Sequence, residues 1–231
     1  MNLLECNQLT KKYGSIKALD NISFEIEKGK VVGLLGINGS GKSSLLKIIS
    51  QMIIPNSGEV LFKEKKLDVN SKNDIAYLPD VDFLEDNLSV KGMIKFFSEF
   101  YKGFDIKKAY NYLDLFDLDK DTMIYKMTKG MKEILQLILV MSRKADLYIL
   151  DEPLSSVESI TRESILNTII KKKDKNSSII ITTQIVSEVE DLLDEVIILD
   201  KGKIVFKDEL KNVNTSLKNI LKRYLRVKEI M

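Results

Sequence analysis

Four short runs of consecutive apolar residues recur along the chain, with helix-compatible stretches between them. They occupy residues 31–35, 147–150, 179–182 and 196–199. Continuous apolar runs without alternation are typical of strands that are buried on both faces of a sheet. Strands that alternate with helices in this way predict an α/β fold with a mostly parallel sheet.

Two other patterns flank this core. Residues 3–9 and 22–26 are strand-like, and the alternation of Ile22, Phe24 and Ile26 with polar residues predicts a half-buried antiparallel strand. Residues 88–143 have helical periodicity and two apolar faces. One face holds Met93, Ile94, Phe96, Phe97, Phe100 and Tyr101, and the other holds Ile134, Leu135, Leu137, Ile138 and Met141. Residues 201–203 predict a tight turn, and residues 217–227 a basic amphipathic helix.

Composition narrows the possible functions. The 36 basic and 34 acidic residues leave a net charge of +2, which gives no reason to expect nucleic acid as a partner. The longest apolar stretch, residues 134–141, is too short to span a membrane, and no signal peptide is visible. Cys6 is the single cysteine, and we expect an inert packed thiol. Because the chain has no histidine, any catalysis must use carboxylates, lysine, hydroxyls or a metal.

A phosphate-binding loop is the strongest signal in the sequence. Residues 36–43 match G-x-x-x-x-G-K-[ST] in full, between an apolar run and a helix-compatible stretch. Glycines in such a loop let backbone N–H groups turn toward phosphate oxygens. We expect Lys42 to reach the β- and γ-phosphates and the Ser43 hydroxyl to bind Mg²⁺. The other predicted nucleotide-binding residues here are Asn38, Gly39, Ser40, Gly41 and Ser44.

A pair of carboxylates follows the apolar run at 147–150. Asp151 and Glu152 lie at the end of this buried strand, where ionised groups are costly unless they have a function. We expect Asp151 to hold Mg²⁺, directly or through water, and Glu152 to accept a proton from the attacking water. A plain acidic turn at the strand end is the alternative.

Taken together, these motifs resemble the nucleotide-binding domain of ABC transporters over nearly the whole chain. Tyr13, before Gly14 and Ala18, resembles the loop that stacks on adenine. Asp80 stands in the position of the Q-loop, residues 127–132 in that of the signature motif, and residues 151–158 resemble the acidic pair with the D-loop. Gln184 occupies the switch region.

The resemblance implies a single domain over residues 1–231. Its parts would be a P-loop NTPase (RecA-like) core at 1–84 and 145–210 with a small N-terminal antiparallel β subdomain, a helical subdomain at 85–144, and a helical tail at 211–231. It also implies ATP and Mg²⁺ as cofactors. Tyr13 and Ala18 would bind the nucleotide, and Asp80 would contribute to the metal site.

Four residues depart from the family pattern. Gln184 replaces a histidine at the γ-phosphate and, as an amide, can donate a hydrogen bond but cannot carry positive charge. Asp80 replaces the Q-loop glutamine, Lys129 a signature glycine, and Glu158 the D-loop aspartate. Lys129 resembles a variant of exporter ATPases of the bacitracin or antimicrobial-peptide type. Hydrolysis is therefore expected to persist at a reduced rate, with Glu152, Lys42 and Gln184 as the catalytic residues.

In the family, two such domains meet head to tail. Thr128 and the N–H groups of Gly130 and Met131 would then contact the γ-phosphate held by the partner's loop. The resemblance therefore implies a homodimer, or a heterodimer with a second ATPase subunit. This dimer would lie at the cytoplasmic face of the membrane beneath a separate transmembrane subunit, and export is favoured over import. The alternatives are a soluble ATPase switch without transport, a small-molecule kinase and a module that binds nucleotide without hydrolysis.

Overall fold

A computed structural model of the protein describes residues 1–213 and 215–225. The strands are β1 (Asn2–Tyr13), β2 (Ile16–Glu27), β3 (Val31–Leu35), β4 (Ser57–Phe62), β5 (Lys65–Lys66), β6 (Ile75–Leu78), β7 (Leu147–Leu150), β8 (Ser178–Ile181), β9 (Glu195–Asp200) and β10 (Lys203–Glu209). The α-helices are α1 (Lys42–Ile49), α2 (Ser71–Asp74), α3 (Val90–Phe100), α4 (Ile106–Leu115), α5 (Lys129–Met141), α6 (Ser159–Lys171) and α7 (Leu217–Leu225).

The larger sheet has six strands in the order β10-β9-β3-β8-β7-β6. All neighbours are parallel except β10, which is antiparallel to β9 after the predicted turn at residues 201–203. Val31 and Leu35 pack into a core with α3, α5 and α6, whereas Val32 and Leu34 pack against α1 and the smaller sheet. Burial on both faces explains why the apolar runs do not alternate, and the predicted α/β fold with a P-loop core is confirmed.

The smaller sheet is antiparallel, in the order β2-β1-β4-β5. Its first two strands form a hairpin that turns at Gly14, whose φ is +59°. Several register shifts interrupt the pairing of β1 with β2. The strands extend well beyond the predicted residues 3–9 and 22–26, because polar residues at the bulges and ends stay in the ladder despite breaking the apolar pattern.

Helices fill the chain between β6 and β7, as the periodicity of residues 88–143 predicts. Side-chain oxygens cap three of them. Ser89 accepts from the Gly92 N–H at the start of α3, Asp105 from the Lys108 N–H at α4, and Thr128 from the Met131 N–H at α5. These caps fix where the helices begin. The boundaries proposed for the subdomains, at 84/85, 144/145 and 210/211, stay predictions.

The apolar face predicted for α3 is only partly buried. Met93, Ile94 and Phe97 lie in the core, but Phe96 is 43% exposed and Phe100 is 69% exposed. The ring centroids of these two residues are 4.5 Å apart. Phe96 and Phe100 therefore face solvent although they belong to the predicted apolar face, since an 11-residue helix turns part of so wide a stripe away from the core.

The last described helix, α7, packs on the core through Leu217, Ile220, Leu221 and Leu225. The Leu217 N–H donates to Glu190 Oε1 at 2.8 Å, which satisfies a free donor at the helix start. The predicted helix over 217–227 is thus observed as far as residue 225, and its last two residues lie outside the described part. Within residues 1–213 and 215–225, no helix combines the length and apolar character needed to cross a bilayer.

Candidate nucleotide-binding and hydrolysis site

The phosphate loop lies between the end of β3 and the start of α1, as the sequence predicts. Gly39 and Gly41 have φ values of +79° and +112°, a region that L side chains rarely adopt. A Cβ atom on Gly41 would lie 2.3 Å from the Ala18 carbonyl oxygen, whereas one on Gly39 would meet open space. Gly41 is therefore required both by its backbone conformation and by the close approach of the β1–β2 hairpin.

Lys42 is buried, with only 6% of its surface exposed. Its ammonium donates to the carbonyl oxygens of Gly36 at 2.7 Å and Ile37 at 3.3 Å. Burial lowers the pKa of Lys42, and the negative charges of Glu152 and Asp151 oppose that shift. The structure thus brings the lysine of the loop within electrostatic range of both predicted carboxylates.

The serines of the loop differ in exposure. Ser43, in the first turn of α1, is exposed, and Ser44 is half-buried. Ser40 is buried, and among the described residues its Oγ has no hydrogen-bond partner. Its backbone is fixed, since its carbonyl accepts from the Gly202 N–H at 2.9 Å. Ser43 is therefore the hydroxyl that faces outward at the helix start, where the predicted metal would lie.

Asp151 is almost fully buried at the end of β7. Thr182, at the end of β8, donates its hydroxyl to Asp151 Oδ1 at 2.8 Å, and Tyr77 OH approaches Oδ2 at 3.5 Å. These contacts hold the carboxylate at the strand end, on the same edge of the sheet as the phosphate loop. Asp151 and Ser43 supply oxygen donors only, which is the donor set that Mg²⁺ prefers. The residues present fit a magnesium ion.

Glu152 has the environment of a proton acceptor. Its backbone has a φ of +49°, and its N–H donates to Thr182 Oγ1 at 2.8 Å. Its Oε2 accepts from the Gln184 N–H at 3.2 Å. Burial raises the pKa of Glu152, while the charge of Lys42 acts in the opposite direction. A carboxylate with a raised pKa is better suited to accept a proton near neutral pH than a free one.

Asp80 is exposed but lies close to the acidic pair. A cavity of about 80 Å³ is lined by Asp80, Asp151 and Glu152 together with Lys129. Partial burial and the negative charge of Asp151 raise the pKa of Asp80, and the positive charge of Lys129 lowers it. The structure thus places Asp80 beside the predicted metal site without showing a bond to a metal ligand.

Gln184 lies near the phosphate loop, as predicted for the switch region. It shares a cavity of about 200 Å³ with Asn38 and Gly36 of the loop and with Leu221 of α7. Its side chain is exposed, and its backbone N–H is the group that contacts Glu152. The carboxamide is therefore available to a phosphate in the loop.

Tyr13 and Ala18 flank the loop on the β1–β2 hairpin. The Tyr13 ring is 49% exposed, and the Lys11 ammonium lies 5.3 Å from its centroid. The Ala18 carbonyl is packed against both Gly41 and Gly202. The hairpin is thus fixed against the start of α1, with an aromatic face open to solvent nearby.

Residues 128–131 form the N-terminus of α5. The Thr128 Oγ1 accepts from the Met131 N–H at 3.3 Å, so this N–H, which we expected to be open to a phosphate, is already used inside the helix cap. Gly130 packs against the Ser156 carbonyl of the segment after the acidic pair. Glu133 accepts from the Ser156 N–H at 2.8 Å. At the start of α5, the side chains of Thr128 and Lys129 are therefore exposed to solvent.

Thr182 and Tyr77 contact Asp151, but we did not predict them as site residues. Thr182 has a signal in the sequence, because it is the one hydroxyl in the apolar run at 179–182 and ends that run, much as Asp151 follows the run at 147–150. Tyr77 lies three residues before Asp80 in the segment that resembles the Q-loop, but the four-residue strand β6, which places its ring near Asp151, has no clear pattern in the sequence.

The fold and this site define an ATP-binding cassette of the P-loop class. A family model described as ABC transporter matches residues 19–155. An uncharacterised ABC transporter ATP-binding protein of Methanocaldococcus jannaschii is 33% identical over 91% of this chain and 79% of its own length. The chain therefore belongs to the ABC transporter family and is an ATPase cassette of that family.

Two further relatives show the range of proteins in this family. A xylose/arabinose import ATP-binding protein of Sulfolobus acidocaldarius is 28% identical over 92% of this chain and 90% of its own length. A solved ATP-binding subunit of an ABC transporter superposes with a TM-score of 0.86 at 24% identity, over 96% of this chain and 99% of the other. The family thus includes importers, and the exporter subtype expected from Lys129 is not established by these relatives.

Proposed function

We propose that the chain binds Mg²⁺-ATP at residues 36–44 and hydrolyses it with Glu152 as the general base. The observation that carries this proposal is the convergence of Lys42, Asp151 and Glu152 at one edge of the parallel sheet. Lys42 neutralises the β- and γ-phosphates, and Ser43 and Asp151 would hold a magnesium ion, which would offset charge on the phosphates. Glu152 accepts the proton of the attacking water.

Gln184 sets the rate in this proposal. Its carboxamide donates a hydrogen bond to the γ-phosphate but adds no positive charge where negative charge develops in the transition state. Asp80 adds a carboxylate beside Asp151, in the cavity of about 80 Å³, where it repels phosphate when the metal is absent. Both features support hydrolysis that is slower than a histidine at position 184 would allow.

The complete site requires a second cassette. Thr128 and Lys129 face outward at the start of α5, where N–H groups and the helix dipole favour an anion. We propose that Thr128 and Gly130 close over the nucleotide of a partner cassette, with the Met131 N–H supporting the cap rather than the phosphate. ATP then holds the dimer together, and hydrolysis releases it.

A transmembrane subunit is the proposed partner outside the dimer. A groove of about 510 Å³ is lined by aromatic and apolar side chains beside an arginine, among them Met52, Phe83, Phe96, Phe100, Tyr101 and Arg143. The exposure of Phe96 and Phe100 supports docking of a short helix from the membrane subunit. We propose export of peptides, antibiotics or other amphipathic compounds, on the resemblance of Asp80 and residues 128–132 to exporter ATPases.

Steady-state ATP hydrolysis by the pure protein tests the catalytic part of this proposal. Glu152→Gln is expected to lower kcat by at least about 100-fold, because general-base catalysis contributes about 10²–10⁴-fold. Glu163→Gln, an exposed glutamate on α6, is the matched control and should leave kcat unchanged. Unchanged turnover in Glu152→Gln would show that Glu152 is not the base. Gln184→His should raise kcat if the missing charge limits the rate.

Size-exclusion chromatography of Glu152→Gln with Mg²⁺-ATP tests the dimer. A homodimer that forms with ATP and dissociates without it is the expected result for a self-pairing cassette. A protein that stays monomeric at saturating nucleotide would instead indicate that the partner is a different ATPase subunit.

A further inference from the structure

A buried ion pair that has no part in the proposed function connects two segments near Glu152. One is the segment after the acidic pair, and the other is the switch segment. Glu188 ends the 3-10 helix Val186–Glu188, beyond Gln184, and is 6% exposed. Arg162, in the first turn of α6, is 9% exposed. Arg162 Nη1 donates to Glu188 Oε2 at 3.0 Å. An ion pair removed from water in this way has to be matched by further hydrogen bonds.

The ion pair makes two further hydrogen bonds, one with the Ser159 side chain and one with the Val157 backbone. Ser159 donates its hydroxyl to Glu188 Oε1 at 2.5 Å. Arg162 Nη2 donates to the Val157 carbonyl oxygen at 2.7 Å. Val157 ends a turn that begins at Leu154, since its N–H donates to the Leu154 carbonyl at 3.0 Å. Arg162 thus holds the segment after the acidic pair with one nitrogen and the switch segment with the other.

We propose that Arg162 and Glu188 are positioning residues for ATP hydrolysis, which keep these two segments in register around Glu152. The proposal rests on the function proposed above. The Glu152 carboxylate is held by the Gln184 N–H, so movement of the switch segment changes its direction. The phosphate loop makes none of these contacts among the described residues, so nucleotide affinity should not depend on the pair.

One double variant separates a positioning role of the pair from a role in the fold alone. Buried ion pairs can often be replaced by apolar residues without loss of stability. Arg162→Met combined with Glu188→Leu should therefore keep the fold, but it cannot bind the Val157 carbonyl or the Ser159 hydroxyl. A purely structural pair would leave the rate of hydrolysis unchanged in a double variant of normal Tm.

The experiment measures kcat, KM, Mg²⁺-ATP affinity by calorimetry, and Tm. We expect the double variant to lose at least about fivefold in kcat at unchanged affinity, since small misplacements of reacting groups cost up to about 100-fold. Ser159→Ala should lower kcat in the same direction by less. The control is Lys30→Met with Glu209→Leu, which removes an ion pair of 2.9 Å at the far end of the sheet and should leave kcat unchanged.

Three results decide the proposal. A double variant with normal Tm and wild-type kcat would overturn it, and so would a fall in affinity that accounts for the whole loss of activity. If the double variant does not fold, Ser159→Ala decides, and wild-type kcat in that variant overturns the proposal. A wild-type protein that binds but does not hydrolyse Mg²⁺-ATP would instead refute the proposed function itself.

Discussion

Thr182 offers the sharpest test of how the acidic pair is held in place. Its side chain is fully buried, and its hydroxyl donates to Asp151 Oδ1 and accepts from the Glu152 N–H, both at 2.8 Å. Thr182→Val keeps the shape of the side chain and removes both hydrogen bonds. The substitution leaves a buried carboxylate with one donor fewer and a backbone N–H without its acceptor.

The expected loss of stability follows from these two bonds. A hydrogen bond to a charged group contributes about 1.5–3 kcal/mol, and a neutral one about 1 kcal/mol. Allowing for the greater apolar character of valine, we expect the free energy of unfolding to fall by about 2–4 kcal/mol. The kcat for ATP hydrolysis should fall as well, because Asp151 is freed to move.

Urea denaturation of the nucleotide-free protein measures this loss. Thr168→Val is the matched control, because the Thr168 hydroxyl donates to the Ser164 carbonyl within α6 and lies near the surface. We expect the control to lose less than about 0.5 kcal/mol. If Thr182→Val lost no more than the control, the bonds to Asp151 and Glu152 would not be holding the acidic pair, and this reasoning would be refuted.

Three further predictions concern other residues of the site. Glu152→Gln should raise the free energy of unfolding of the nucleotide-free protein near neutral pH. Burial raises the pKa of Glu152 and so disfavours its ionised form in the folded state. The gain in stability should shrink as the pH falls toward the usual pKa of glutamate. Gly41→Ala should lose at least about 1 kcal/mol more in urea than Gly39→Ala, since only its Cβ would overlap the Ala18 carbonyl. In calorimetric titrations, Tyr13→Ala should weaken ATP binding by about 1–3 kcal/mol, and Tyr13→Phe should not.

Each of these three predictions would be contradicted by a specific result. A stability difference between Glu152→Gln and wild type that does not vary with pH would contradict the raised pKa of Glu152. Equal losses for the two glycine variants would show that the hairpin moves freely away from α1. Equal affinities for Tyr13→Ala and Tyr13→Phe would remove the ring from the adenine site.

The phosphate loop and the core strands could be predicted from sequence because their signals are local. The loop needs glycine at Gly41 for its left-handed backbone and a lysine directly after it, and both belong to one eight-residue motif. The strand β3 is buried on both faces, so each of its residues is apolar or glycine. The strand-like segments at 3–9 and 22–26 have local patterns too, although the bulged ends of β1 and β2 do not.

The contacts that shape the site depend on which strands become neighbours, and this is not encoded locally. Thr182 meets Asp151 only because β8 lies beside β7 in the sheet. The bond between Arg162 and Glu188 likewise joins residues that are far apart along the chain. The periodicity of α3 does not decide whether Phe96 faces the core or a groove, because an apolar residue has the same spacing in both cases.

The central claim is that Lys42 and its loop bind the phosphates of Mg²⁺-ATP. Isothermal titration calorimetry of wild type, Lys42→Ala and Lys47→Ala, an exposed lysine on α1, tests it most directly. We predict that wild type and Lys47→Ala bind Mg²⁺-ATP with equal affinity and that Lys42→Ala loses at least about tenfold, since it removes a charge-assisted contact to phosphate. Binding by Lys42→Ala that equals wild type, or no binding by wild type, would contradict the account.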